Sequence, residues 1–290
     1  MSELQYYVNG QILPAERASI SVLDHGFTVA DGVFETLLIS QGQVFAFNRH
    51  VMRLQRSAEG LGIMCPGHAM IHDAVSRTLA ANQRIDHGRL RITVTSGKGP
   101  LGSDRVGADP TLVVTLSETP RWPETTSAVV VPWIKNERSS LVGLKTTSYA
   151  ENVVALELAH KLGFSEALMC DSQGRLSEGT GSNIFLVRNG VLITPHEHTG
   201  LLAGITRKLV MECADELSIE VSLQDTTVEE LMQSDEAFLT SSTRNVHPIT
   251  MLGICDSRAK LQTTHELPVG PISQGLASAL ADIVSTRMNP

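Results

Sequence analysis

Two side chains stand out for the chemistry their surroundings allow. Lys145 follows the apolar run Leu141-Val142-Gly143-Leu144 and precedes Thr146, Thr147, Ser148 and Tyr149. Glu178 lies in Leu176-Ser177-Glu178-Gly179-Thr180-Gly181-Ser182-Asn183, where glycines let backbone approach a flat ligand closely. An amine and a carboxylate at a fixed separation are what a pyridoxal-phosphate site needs. The amine bonds the aldehyde, and the carboxylate keeps the pyridine nitrogen protonated so that the ring accepts electrons. The other lysines are Lys98, Lys135, Lys161, Lys208 and Lys260. Lys161 reads as late in a helix, where a cation suits the dipole. Lys208 reads as helix surface, Lys98 and Lys260 as polar loop, and Lys135 as a strand end. Taken alone, Lys145 also suits a surface ion pair and Glu178 a solvated loop, so both readings stay open at this point.

Three further segments could hold a phosphate. Gly204-Ile205-Thr206 reads as a helix start, with backbone N–H groups, a hydroxyl and the positive end of the dipole. Thr240-Ser241-Ser242-Thr243 is a hydroxyl run after a strand, which a plain turn would also explain. Arg53 could grip a phosphate through its fork, or lie solvated on a helix. His196-Glu197-His198 has no third ligand nearby and is not read as a metal site. Nucleotide-binding and hydrolase fingerprints are missing from the sequence.

Positioning these groups falls to a mixed set of elements. Asn9-Gly10 between apolar runs predicts a hairpin. Residues 30–39 and 44–47 read as strands, as do 89–95 and 111–116. Helices are predicted over 49–60, capped by Asn48, and over 69–82. In the second half, strands are expected at 127–134, 166–170, 184–187, 191–194 and 236–239. Helices are expected at 151–162, with Val154, Leu158 and Leu162 as its stripe, at 204–217, at 228–232 and at 271–285. Pro120 and Pro123 resist helix and sheet, which places a linker at 120–124 between a domain of residues 1–119 and one of 125–290 carrying the lysine.

The 290 residues carry a net charge of −8, so no basic stripe is present to neutralise nucleic-acid phosphates. Cys65, Cys170, Cys213 and Cys255 lack metal or redox spacing and read as small core residues of a cytoplasmic protein. No basic, apolar leader and no apolar run long enough to span a membrane are evident.

In order along the chain stand Asp31-Gly32-Val33-Phe34-Glu35-Thr36, His50-x-x-Arg53-Leu54-x-x-Ser57-Ala58, Gly143-Leu144-Lys145, Glu178-Gly-Thr-Gly-Ser-Asn183, Gly204-Ile205-Thr206-Arg207 and Thr240-Ser-Ser-Thr243. This series resembles the aminotransferase class IV family, the fold-type IV pyridoxal-phosphate enzymes, over nearly the whole chain. The resemblance implies an α/β (α+β) fold with a small N-terminal and a larger C-terminal domain, and pyridoxal 5'-phosphate held between them. It also implies a homodimer. By resemblance, Lys145 is the Schiff-base lysine and proton shuttle, and Glu178 is the partner of the pyridine nitrogen. Arg53, Ile205, Thr206, Ser242 and Thr243 form the phosphate cradle, and Tyr149 approaches the phenolic oxygen.

The family offers transamination between an amino acid (branched-chain or D-amino acid) or an (R)-amine and a 2-keto acid, or cleavage of 4-amino-4-deoxychorismate to pyruvate and 4-aminobenzoate. The D-amino-acid carboxylate trap is missing, since Phe34, Leu101 and Ser103 stand at its positions. The branched-chain pattern also departs, in the spacing from lysine to tyrosine. Thr36 matches a lyase threonine, and Lys98 or Arg105 in the loop 97–105 could hold a substrate carboxylate. Transamination is placed ahead as the family's broader activity. Keeping both Lys145 and Glu178 argues against a non-catalytic binding protein.

Overall fold

A computed structural model describes residues 3–105, 107 and 109–290. The chain divides into two compact units. The first is Met1–Arg121 with Leu144–Ser148 and Val284–Pro290, and the second is Trp122–Gly143 with Tyr149–Ile283. The segment bearing Lys145 therefore groups with the N-terminal unit, although in sequence it lies within the expected second domain, residues 125–290. The reason is backbone pairing: Phe34 N–H donates to Lys145 O (3.0 Å) and Thr147 N–H donates to Gly32 O (2.8 Å).

The first unit contains β1 (Gln5–Val8), β2 (Gln11–Pro14), α1 (His25–Thr28), β3 (Gly32–Ser40), β4 (Gln43–Val44), α2 (Phe47–Leu61), α3 (His68–Ala80), β5 (His87–Thr95) and β6 (Thr111–Glu118). Its strands form one sheet in the order β2-β1-β6-β5-β3-β4. The predicted hairpin is present, with Asn9 at φ 45° and Gly10 at φ 89° closing β1 on β2. β3 and β5 pair antiparallel over their full length. Val33, Leu37 and Ile39 of β3 point into the core with Leu90, Ile92, Val51 and Leu54. Each such side chain contributes about 1.5–3 kcal/mol through burial.

The start of α2 differs from expectation. Residues 45–47 do not extend the strand, and Asn48 is not the cap. Ala46 is the cap residue, at φ 54° with no side-chain bond, and the helix opens at Phe47. The far end of the chain supplies the partners: Ala46 N–H donates to Met288 O, Asn48 N–H to Asn289 Oδ1, and Arg49 Nε to Pro290 O.

The second unit continues with β7 (Thr126–Ile134), α4 (Ala150–Lys161), β8 (Glu166–Cys170), β9 (Leu176–Gly179), β10 (Asn183–Arg188), β11 (Val191–Pro195), α5 (Ile205–Glu216), β12 (Val221–Gln224), α6 (Val228–Met232), β13 (Glu236–Ser241), β14 (Asn245–Cys255), β15 (Leu261–Glu266) and α7 (Pro271–Thr286). The sheet runs β12-β11-β10-β13-β14-β7-β8-β9, with β15 also on β14. Pairs β14·β7, β7·β8 and β11·β12 are parallel. Of these, β7 and β8 carry near-continuous buried apolar runs, Ala128–Val131 and Ala167–Met169. α4 corrects its predicted stripe at one position: Leu158 and Leu162 pack against the cluster that holds the buried Ala155 and Ala159, while Val154 is 54% exposed. Among the described residues no helix is long and apolar enough to cross a membrane.

Glu236, buried at the start of β13, accepts from Ile272 N (3.1 Å) and Ser273 N (2.8 Å), the first turn of α7. Pro271 at the first helical position suits the same end. Glu236→Ala should cost about 1–2 kcal/mol of stability, as a lost helix cap does. A lower urea midpoint with an unchanged slope would show it, and an unchanged midpoint would refute it.

Candidate active site

In the first unit, Lys145 is fixed from three sides. Its N–H donates to Ser57 Oγ on α2 (3.1 Å), its carbonyl accepts from Phe34, and its Nζ sits 4.4 Å from the centre of the Phe34 ring. Leu144 lies against Gly60, where an added Cβ would come within 2.6 Å of its Cδ2. Ser57 and Gly60 are three residues apart on one helix face, so α2 receives the lysine segment as a groove. Lys145 is half-buried.

Phe34 and Thr36 point to the face of β3 opposite its core residues, because strand side chains alternate. Thr36 lies opposite Arg91 of β5. The Arg91 guanidinium carbon sits 3.7 Å from the centre of the Phe34 ring. Arg91 is the residue that reading the sequence passed over. Its signal was available: a charged residue alternating with Leu90 and Ile92 in a strand paired to the Phe34 motif.

Glu35, on the core face, is fully buried, and its oxygens accept from Arg53 Nε and Nη2, each at 2.7 Å. His50 Nδ1 lies 2.6 Å from Glu35 Oε2. Burial pushes this carboxyl up, but the Arg53 charge and bonds, with His50, outweigh it and bring it down to about 2. Burial also pushes the His50 imidazole below its usual range, against the pull of Glu35. Arg53 is thus buried and held rigid, not a solvated helix arginine.

The loop expected to hold a substrate carboxylate does something different. Arg105 is committed to Asp31 (Nε to Oδ2 2.7 Å) and donates Nη1 to Leu61 O (2.6 Å) and Gly62 O (3.2 Å), so it clasps the end of α2. Lys98 is exposed and forms a backbone bridge with Asp24. Both line a cavity of about 200 Å³ with His25, Ser96 and Met64, and neither Lys145 nor Phe34 lines it. The structure does not bring Lys98 and Arg105 to the lysine.

In the second unit, Glu178 corrects the expectation of a loop: it lies in β9, paired to Met169, and its side chain is 8% exposed. Oε1 is 2.8 Å from Lys135 Nζ. Oε2 accepts from Leu202 N (2.9 Å) and from Asn183 Nδ2 (3.4 Å). Lys135 is also held there as a cation: burial pulls its amine down, and Glu178 with nearby Tyr149 and Glu151 more than restores it. That makes Lys135 a poor nucleophile.

The α5 start has the features of an anion site. Gly204 caps it with no side-chain bond, so the first-turn N–H groups at Ile205 and Thr206 lack intrahelical partners. A Cβ on Gly204 would fall 2.0 Å from Asn183 Oδ1. Asn183 in turn pairs across the sheet with Thr240, whose buried Oγ1 has no hydrogen-bond partner among the described residues. Ser242 and Thr243 form the turn after β13, two and three residues beyond Thr240. The sheet therefore gathers the helix start, the hydroxyl turn and the Glu178 partner Asn183. Backbone N–H groups and hydroxyls are the donor types a phosphate takes, and a carboxylate is the acceptor type a protonated ring nitrogen takes. Tyr149 caps α4. Arg207 takes no part: it is buried, and it donates to Thr194 Oγ1 and Pro195 O.

The family model for Amino-transferase class IV matches residues 32–252. The chain belongs to this family. It is 33% identical over 286 residues to the "Putative branched-chain-amino-acid aminotransferase" of Methanocaldococcus jannaschii, covering 97% of this chain and 96% of that one. It is 29% identical over 280 residues to the D-alanine aminotransferase of Bacillus licheniformis, covering 95% of each. The crystal structure of a branched-chain aminotransferase from Thermoproteus uzoniensis with norvaline superposes with a TM-score of 0.89 at 30% identity, covering 98% of this chain and 95% of that one. The fold expectation is met, and the activity of this family member is aminotransfer.

The Glu35 cluster ties the enzyme's stability to acid. A carboxylate lowered by folding contributes stability above its unfolded value near 4.5, which is lost as pH falls towards about 2. Glu35→Gln should cost roughly 3 kcal/mol at neutral pH by leaving Arg53 buried and unpaired. It should also flatten the loss between those pH values. Urea midpoints from pH 2 to 7 check both; an equally steep acid limb in the variant would refute the assignment.

Proposed function

We propose that this aminotransferase moves the amino group of a branched-chain-type amino acid to a 2-keto acid bearing a second carboxylate. The observation that carries this reading is the Phe34 ring with two nitrogen groups over it, the Lys145 amine and the Arg91 guanidinium. A guanidinium fork suits a carboxylate, and Phe34 with Leu38 on the same strand face suits an aliphatic side chain.

The cofactor is pyridoxal 5'-phosphate, which supplies when bound an electron-accepting ring next to the carbon that takes the amino group. Lys145 Nζ is the amine that would hold it covalently and the base that moves the proton at the substrate α-carbon. Ser57 and the Phe34 N–H fix the lysine backbone, so this amine is positioned before substrate arrives. Glu178 is the acceptor for the pyridine nitrogen. Ile205 and Thr206 through backbone N–H and hydroxyl, with Ser242, Thr243 and Arg53, are the phosphate donors. Glu35 holds the Arg53 fork for that task. Tyr149 is the group proposed for the phenolic oxygen.

A homodimer in the cytoplasm is part of the same proposal. Val22 (74% exposed) and Phe27 (69%) offer apolar surface to a second copy, and the four cysteines are free thiols.

Borohydride treatment of the protein with pyridoxal phosphate should label Lys145, and Lys145→Ala should lose the visible band. Absence of label on wild type would overturn the reading. L-Leucine should convert the bound cofactor to its amine form faster than D-alanine does. Pyruvate release from aminodeoxychorismate, without conversion by either amino acid, would make the protein a lyase. Arg91→Met should raise KM for 2-oxoglutarate about tenfold, equal to ~1.4 kcal/mol, and leave KM for L-leucine little changed. Equal effects on both would remove Arg91 from the carboxylate site.

A further inference from the structure

The pairing of Lys135 with Glu178 has no place in the roles above, although the Lys135 side chain is largely buried, 26% exposed. The sheet sets this contact. Lys135 follows the last residue of β7, and its N–H donates to Cys170 O at the end of β8 (2.8 Å). Met169, one residue earlier on β8, pairs with Glu178 on β9. Lys135 and Glu178 are therefore two strands apart across β8. The two backbones stand roughly 10 Å apart by strand spacing, a gap that an extended lysine and a glutamate bridge. The 2.8 Å contact is the outcome.

All the groups reaching Glu178 in this unit are donors: an ammonium on Oε1, and a backbone N–H and an amide on Oε2. A carboxylate only accepts, whereas a carboxylic acid must also donate. This shell suits the first form and offers nothing to receive a proton from the second. Taking the Lys135 ammonium away would leave a buried carboxylate with one fewer charge-assisted bond and, among the described residues, no opposite charge at contact distance.

We infer that Lys135 is a positioning residue that keeps Glu178 an anionic acceptor, so that a proton shared with the cofactor's ring nitrogen stays on nitrogen. This inference rests on the assignment of Glu178 as partner of that nitrogen. Lys135 needs no contact with the cofactor or the substrate; it acts through Glu178.

The test uses pyridoxal phosphate labelled with ¹⁵N in the ring, bound to the full-length enzyme at pH 7. Wild type should give the chemical shift of a protonated pyridine. Lys135→Met should move it most of the way to the shift of Glu178→Gln, and should slow the half-reaction with L-leucine about tenfold. Lys135→Arg, which keeps the charge, should restore the wild-type shift. A role in folding alone would lower stability and leave the ¹⁵N shift unmoved. If Lys135→Met does not fold, Lys135→Gln, nearly as long and uncharged, replaces it. A wild-type shift in the uncharged variant with cofactor still bound overturns the inference. Failure of wild type to bind the cofactor at Lys145, or a Glu178→Gln shift equal to wild type, overturns the underlying assignment instead.

Discussion

A carboxylate withdrawn from water must find donors, and this requirement organises the polar interior of both units. Glu35 gathers Arg53 and His50, and so fixes α2 against β3. Glu178 gathers Lys135, Leu202 and Asn183, and so fixes the end of β7, the approach to α5 and the start of β10 around β9. Glu166 collects Thr180 and Ser182 on the same turn, and Glu236 holds the first turn of α7. Removing one partner of such a pair costs more than the pair contributes, because the other is left buried and unmatched. The apolar clusters stabilise the units, but these carboxylates decide which segments meet.

The same logic separates the arginines by task. Arg53 is oriented by Glu35, Arg105 is spent on Asp31 and the carbonyls ending α2, and Arg207 serves the β11 backbone. Arg91 alone of the four lies over Phe34, a ring it shares with Lys145. Sequence position does not reveal this division: Arg105 lies in the loop where a carboxylate trap was expected, and Arg91 lies inside a strand. Only the contacts show which guanidinium faces the lysine's surroundings.

Much of the secondary structure was legible because local rules and tertiary packing agree. Asn9-Gly10 demands positive φ, and the hairpin has it. β8 and α6 fall at the expected residues, since short apolar runs between turn signals leave little choice of boundary. β14 and β15 were not anticipated. They include Pro248, Gly253 and polar residues that weaken a strand pattern, and pairing with β7 and β13 overrides that weakness. The start of α2 was misjudged for a related reason: its cap partners come from residues 288–290, which no local window contains.

The sequence by itself determined the chemistry on offer: an isolated lysine among hydroxyls, a glutamate among glycines, an uncapped helix start and a hydroxyl turn, in the order of one family. Residue type and spacing suffice for that, because they dictate what a group can donate, accept or bond. Tertiary structure alone decided the environment of each group. It placed Lys145 on the edge of β3 beside Phe34, turned Glu178 from a loop residue into a buried strand residue, and paired it with Lys135. Those outcomes depend on backbone pairing between segments far apart in the chain, and on the cost of burying charge unpaired. Neither is written in any local pattern.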